Sequence, residues 1–340
     1  MRPEELLCTR PGGLYCPPGD FFIDPTRAVG RAVITHGHAD HARAGHDAVL
    51  ATQATLDIMR TRYGEEFTAN RQALEYGQTV RINNVAVTLH PAGHVLGSAQ
   101  ILLESGGLRM VVSGDYKTRR DPTCPSFVAI PCDVFITEAT FGLPVFRHPP
   151  DKAEIEKLMA SRALFAERCH LIGAYSLGKA QRLIMLLREA GHDGPIWCHG
   201  ALTKINDLYA AHGLRLGELR TLDRAGAKDL EGGIVIAPPS AIADRWSRKM
   251  GNCVRGFASG WMSIRARARQ QAVELPLVIS DHADWDELTA TIDALAPAEI
   301  WVTHGNEEAL VHWAKAKGRR ARPLKLAGYG DEEGEERMTT

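Results

Sequence analysis

A chain of 340 residues with 44% hydrophobic and 24% charged residues has enough apolar material for a substantial core in one or two domains. Its formal net charge of -1 excludes a generally basic protein that coats nucleic acid, although a local basic groove remains compatible with it. No apolar run approaches a membrane span, MRPEELLCTRPGG lacks the pattern of a secretory leader, and the 7 cysteines are scattered without a CxxC pair, so a cytoplasmic protein with free thiols and no membrane is expected.

The first part of the chain reads as strand-rich. FFIDP places Asp24 at a strand end, and Ala32-Val33-Ile34 reads as a buried strand running into THGHADH at 35–41. Val85–His90 alternates and leads into PAGHVLGS, while Gln100–Glu104 and Arg109–Ser113 flank Ser-Gly-Gly as a hairpin. Val134–Thr137 is a further apolar strand. Beyond residue 142 the pattern changes to alternating helices and strands. The expected helices are Lys152–Arg168, Gly178–Ala190, Leu202–His212, Ala241–Met250, Trp285–Leu295 and Glu307–Lys317. Between them fall the strands Leu171–Ala174, Pro195–Cys198, Gly233–Ala237, Leu277–Ser280 and Glu299–Thr303, which implies βαβ units and a parallel sheet. Asp331–Arg337 reads as an acidic solvated tail.

The chemistry is concentrated in THGHADH, where His36, His38, Asp40 and His41 fall within six positions. Imidazole and carboxylate are the usual ligands of zinc and similar divalent ions, and burying so many without partners is costly. Three more strand ends repeat the design of apolar strand, ligand type and nearby glycine: His94 in AGHVLGS, Asp115 in RMVVSGD and His304 in EIWVTHG. His36, His38 and His94 could hold one metal and Asp40, His41 and His304 a second, with Asp115 bridging. Two-metal hydrolytic sites have ions roughly 3.5–4 Å apart. Asp24 is expected to orient a ligand through a hydrogen bond.

HxHxDH, then GH, then SGD resembles the metallo-β-lactamase superfamily, which implies a four-layer αββα sandwich. TEATFG (137–142) resembles the first signature of the β-CASP nucleases and assigns its acidic role to Glu138. SDHADW (280–285) is similar to the second and points to His282, and VTHG matches the third at His304. AYSLGKAQRL (174–183) is similar to the start of the β-CASP insert of RNA 3′-end processing endonucleases. The resemblance implies an α/β protein with a first metallo-β-lactamase part at 1–142, a β-CASP domain at 143–270, a second metallo-β-lactamase part at 271–330 and the tail at 331–340. LYCPPGDFFIDP, FASGWM and SDHADW also look like the bacterial DNA ligase-associated exonucleases, whose partners are an ATP-dependent DNA ligase and a helicase in DNA repair.

The expected function is therefore a nuclease using two divalent ions, Zn or Mn, acting on 3′ ends of nucleic acid, with DNA favoured over RNA. His282, Glu138 and Asp40 are the expected catalytic groups: His282 protonates the leaving oxygen or steadies developing charge, and Glu138 orients it. Lys179, Arg182, Arg265 and Arg267 are candidate phosphate contacts, within a basic stretch that also holds Arg245, Arg248, Lys249, Arg255 and Arg269. Trp261 and Phe257 are candidates for stacking on bases or for core packing. The alternatives are an RNA-processing endo- or exoribonuclease, a small-molecule metallo-hydrolase, and a silent scaffold, against which stands the retention of every ligand type.

Overall fold

The structure is a computed structural model that describes residues 1–222, 230–270 and 272–324. The acidic tail expected at 331–340 and the side chain of Lys249 lie outside the described residues. The chain divides into two compact units, one formed by Met1–Arg147 together with the chain from His282 onward, the other by His148–Asp281.

In the first unit, six strands lie side by side in sequence order: Cys8–Arg10, Gly13–Cys16, Phe21–Ile23, Arg31–Val33, His46–Ala51 and Thr68–Ala73. A second, seven-stranded sheet runs in the order Ala321–Pro323, Glu299–Gly305, Val134–Ala139, Leu108–Val112, Ala99–Ser105, Val85–Pro91 and Thr79–Ile82. Successive side chains on a strand point to opposite faces, so a strand covered on both sides must be apolar throughout. Val33 packs inward with Leu14, Phe21 and Ile23 against Val87, Leu89, Ile101, Met110 and Ile136 of the other sheet. Its neighbours Ala32 and Ile34 point outward, to Leu56 and Met59 on the helix Gln53–Tyr63. Leu102, Val111, Phe135, Ile300 and Val302 face the helices Trp285–Leu295 and Glu307–Ala316 through Leu288, Ile292, Leu310 and Ala314. Four layers, helix, sheet, sheet and helix, follow from these three apolar clusters.

The second unit is a six-stranded sheet in the order Leu219–Thr221, Ile196–Cys198, Ile234–Ala237, His170–Gly173, Val254–Ala258 and Leu275–Leu277, with every pairing parallel. The helices Asp151–Leu164, Lys179–Glu189 and Thr203–Ala211 accompany it, as parallel crossovers require. Its last strand lies two residues before the expected Leu277–Ser280 and pairs with Val254–Ala258 through Ala258 and Leu277, so the unit continues to Asp281. The helix expected at Ala241–Met250 is interrupted. Asp244 is extended (φ -86°, ψ 171°) and its side chain accepts from the Arg245 amide, separating Pro239–Ala243 from a 3-10 turn at Arg245–Met250. No helix among the described residues is long and apolar enough to cross a membrane.

Candidate metal centre

All seven expected ligands belong to the first unit; six stand in loops that follow strands, and His304 lies in the strand Glu299–Gly305, next to its end. The loop after Arg31–Val33 is fastened by Asp24, whose backbone takes a positive φ of 43°. Asp24 accepts from the Thr35 amide at 2.8 Å and from the Thr35 hydroxyl at 2.6 Å. Because the single hydroxyl proton is spent there, Thr35 Oγ1 accepts from His36 Nδ1 at 3.0 Å, which leaves Nε2 of His36 with its lone pair. The same carboxylate accepts from His41 Nδ1 at 2.8 Å and selects the same tautomer. The expected orienting role of Asp24 thus has a geometric counterpart on two histidines.

Two groups of ligand-capable atoms result, each with its atoms within 4.8 Å of one another: His36, His38, His94 and Asp115, and Asp40, His41 and His304. Asp115 Oδ2 stands 3.5 Å from Nε2 of His36 and 3.5 Å from Nε2 of His41, one from each group. His38 Nδ1 and His94 Nε2 are 3.0 Å apart. The donor set fits divalent cations on a specific observation. His36 Nε2 and Asp40 Oδ1 are buried and have no hydrogen-bond partner, although each is strongly polar.

Electrostatics point the same way. Burial drives His36 well below the usual imidazole range, and desolvation with the His41 charge lowers His304 to about 3, so both are neutral, the ligating form. Burial pushes the Asp115 carboxyl up to about 7 against the pull of His41, with Glu138 adding to the rise. Burial also opposes charge on His41, yet Asp40, Asp115 and Asp24 together raise it well above its ordinary value. Three carboxylates therefore draw positive charge to one point, which a divalent cation would satisfy.

Beside this cage, His282 Nδ1 lies 3.1 Å from Glu138 Oε2, and Asp115, Glu138 and His282 form a third group of ligand-capable atoms. Glu138 sits where the pairing of Val134–Ala139 with Glu299–Gly305 shifts register between Thr137 and Ala139, the kind of irregularity that re-aims a side chain. Burial raises its pKa, but the neighbouring His282 charge and hydrogen bonds from Thr140 and the Tyr116 amide hold it below the usual value.

The expected phosphate contacts divide into two kinds. In the second unit Arg182 is wholly buried and paired with Asp151, and Lys179 is buried, 3.3 Å from Asp281 and 4.7 Å from the Tyr175 ring centroid. Their charges serve buried ion pairs. Arg265 is exposed, and Arg267 stacks over the Trp261 ring at 3.9 Å. Trp261 and Phe257 are both buried, Phe257 against Tyr175 and Met262. Thr35, which joins Asp24 to His36, carries no signal in the residue pattern, because threonine is common before a turn.

The four-layer unit, the parallel α/β unit inserted in its sequence and the histidine–aspartate cage have the architecture of a metallo-β-lactamase/β-CASP fold. No family model matches the chain. It is 28% identical to a probable DNA ligase of Opitutus terrae over 313 residues, 91% of this chain and 30% of that protein. It is 32% identical to Endoribonuclease YSH1 of Gibberella zeae over 180 residues, 50% of this chain and 20% of that one. The chain thus spans less than a third of the length of these curated relatives. A solved protein of unknown function from Enterococcus faecalis shares the fold, with a TM-score of 0.59, 12% identity, and coverage of 88% of this chain and 80% of that one.

Proposed function

We propose that this chain is a metal-dependent nuclease that hydrolyses phosphodiesters in nucleic acid, with DNA favoured over RNA and 3′ ends as the point of attack. The observation that carries it is the junction at Asp115, where a carboxylate stands between His36 and His41 and also 4.0 Å from His282. His36, His38 and His94 would hold one divalent ion, Asp40, His41 and His304 a second, with Asp115 between them; zinc or manganese suits these donors. When bound, such a pair supplies Lewis acidity toward phosphate and acidifies water.

The chain's own groups do the rest. Asp24 keeps His36 and His41 in the tautomer that presents Nε2. His282 directs Nδ1 to Glu138, so Nε2 is the nitrogen that would hand a proton to the leaving oxygen, and Glu138 would steady the imidazolium form. Arg265 and Arg267 would contact phosphates along the strand.

DNA is favoured because a relative matched over 91% of the chain is named a probable DNA ligase; work beside an ATP-dependent ligase and a helicase in repair is part of the same proposal. The reading of RNA processing draws on the endoribonuclease named above. The test is cleavage of matched single-stranded DNA and RNA, labelled at either end, with Zn²⁺, Mn²⁺ or chelator. A metal-dependent ladder on DNA shortening from the 3′ end is expected. Preference for RNA would transfer the protein to RNA processing, and cleavage of neither would overturn the nuclease reading.

A further inference from the structure

His282 belongs to no helix or strand, so its position depends on what grips the loop around it. That grip comes from the segment directly after Asp115. The Ala283 amide donates to the Tyr116 carbonyl at 2.7 Å, and the Tyr116 amide donates to Glu138 Oε1 at 2.8 Å. The Lys117 amide donates to the Ala92 carbonyl at 3.1 Å, beside the loop that carries His94. Gly93 completes this approach: at φ +75° a Cβ there would stand 2.3 Å from the Lys117 carbonyl oxygen.

The side chain of Lys117 is 1% exposed. Its ammonium lies 3.2 Å from the carbonyl oxygen of His282 and 3.5 Å from Glu287 Oε2. Glu287 is itself held: Oε1 accepts from the Thr118 amide, the Thr118 hydroxyl and the Arg119 amide at 2.8–3.0 Å, and Oε2 accepts from the Asp284 amide at 3.2 Å. Asp284 caps the helix Trp285–Leu295 and takes Arg119 as an ion pair. A buried ammonium needs a carboxylate, and this one is locked in place by four donors, so the ammonium is held where it reaches the His282 carbonyl.

We propose that Lys117 is a positioning residue that acts through the His282 carbonyl, fixing the imidazole against Glu138 and Asp115. The inference rests on the nuclease reading for its kinetic arm and on geometry for its spectroscopic arm. Lys117→Met keeps the length of the side chain and removes the donor. The rate constant is expected to fall about 10- to 100-fold, with KM and bound metal changing less than about twofold, as for other outer-shell partners. In a His282→Ala background, Lys117→Met should cost nothing further, since the group it positions is gone.

The independent readout is the ¹⁵N spectrum of histidine-labelled protein, in which the His282 ring is identified by its absence in His282→Ala. Lys117→Met should shift or broaden that Nδ1 signal while the His36 and His41 signals stay. If Glu287 without the Lys117 charge prevents folding, Lys117→Met with Glu287→Gln removes both charges and answers the same question. An unmoved His282 signal, or rate losses that simply multiply in the double variant, would overturn the proposal. A wild-type protein without nuclease activity would remove the nuclease reading, while the spectrum would still decide the role of Lys117.

Discussion

The two units bury charge to opposite ends. In the parallel α/β unit, Arg182 and Lys179 are buried opposite Asp151 and Asp281, so each cation meets a carboxylate. In the four-layer unit, buried imidazoles and carboxylates crowd together, and His36 Nε2 and Asp40 Oδ1 lack hydrogen-bond partners. At the candidate site, Asp24 and His304 also take positive φ, at 43° and 58°. Strain and unsatisfied polar atoms persist in a folded protein where the surroundings over-determine them and a ligand can resolve them. Burial alone therefore does not mark a functional charge. The mark is several ligand-capable groups converging on one point.

The sharpest break in this contrast is His38→Ala. It should empty the metal site, measured as metal per chain by mass spectrometry, and lower activity below the about 10- to 100-fold loss typical of outer-shell changes. His282→Ala should retain its metal and melting temperature while the rate falls about 10²- to 10⁴-fold; loss of bound metal would make His282 a ligand instead. On the other side of the contrast, Arg182→Ala should destabilise the protein by about 3 kcal/mol in urea titrations, toward the lower end for a broken buried pair because Asp151 is partly exposed. Metal per chain under native conditions should not change.

Glu287 refines the comparison with a pH signature. Although burial opposes its charge, Lys117, Arg119 and Thr118 lower its carboxyl to about 2, from an ordinary 4.5. A folded pKa below the unfolded one contributes stability that is fully present above 4.5 and is lost as pH falls toward 2. Glu287→Gln should accordingly cost about 3 kcal/mol at pH 7 and progressively less below pH 4.5, as read from denaturation at a series of pH values. The smallest effect is expected at the surface. Arg265→Ala and Arg267→Ala should each reduce the salt dependence of single-strand binding by about 0.7 in the log–log slope, without altering metal content.

The grouping of the candidate ligands is legible because metal ligation would demand particular residue types at strand ends. His36, His38, Asp40, His41, His94, Asp115 and His304 each follow an apolar strand, and the structure brings them into two neighbouring groups. Legibility fails where one residue type serves two environments. Arg182 and Lys179 look like phosphate contacts beside a helix start, yet helix Lys179–Glu189 buries both. The helix Gln53–Tyr63 escapes notice because its apolar stripe is interrupted by polar residues, although Thr52 caps it through the Thr55 amide.

Residue chemistry and spacing along the chain carry the candidate ligand types, their order and the alternation of apolar strands that builds two kinds of sheet. These are local properties, set by side-chain chemistry and by periods of two and 3.6 residues. Only the tertiary structure decided that Asp115 stands between the two histidine groups, that Glu138 faces His282 across 144 positions of chain, and that Lys117 reaches the His282 carbonyl across 165. Such pairings depend on strand register and on which loops the packed layers bring together, and neither is written in the spacing of residues along the chain.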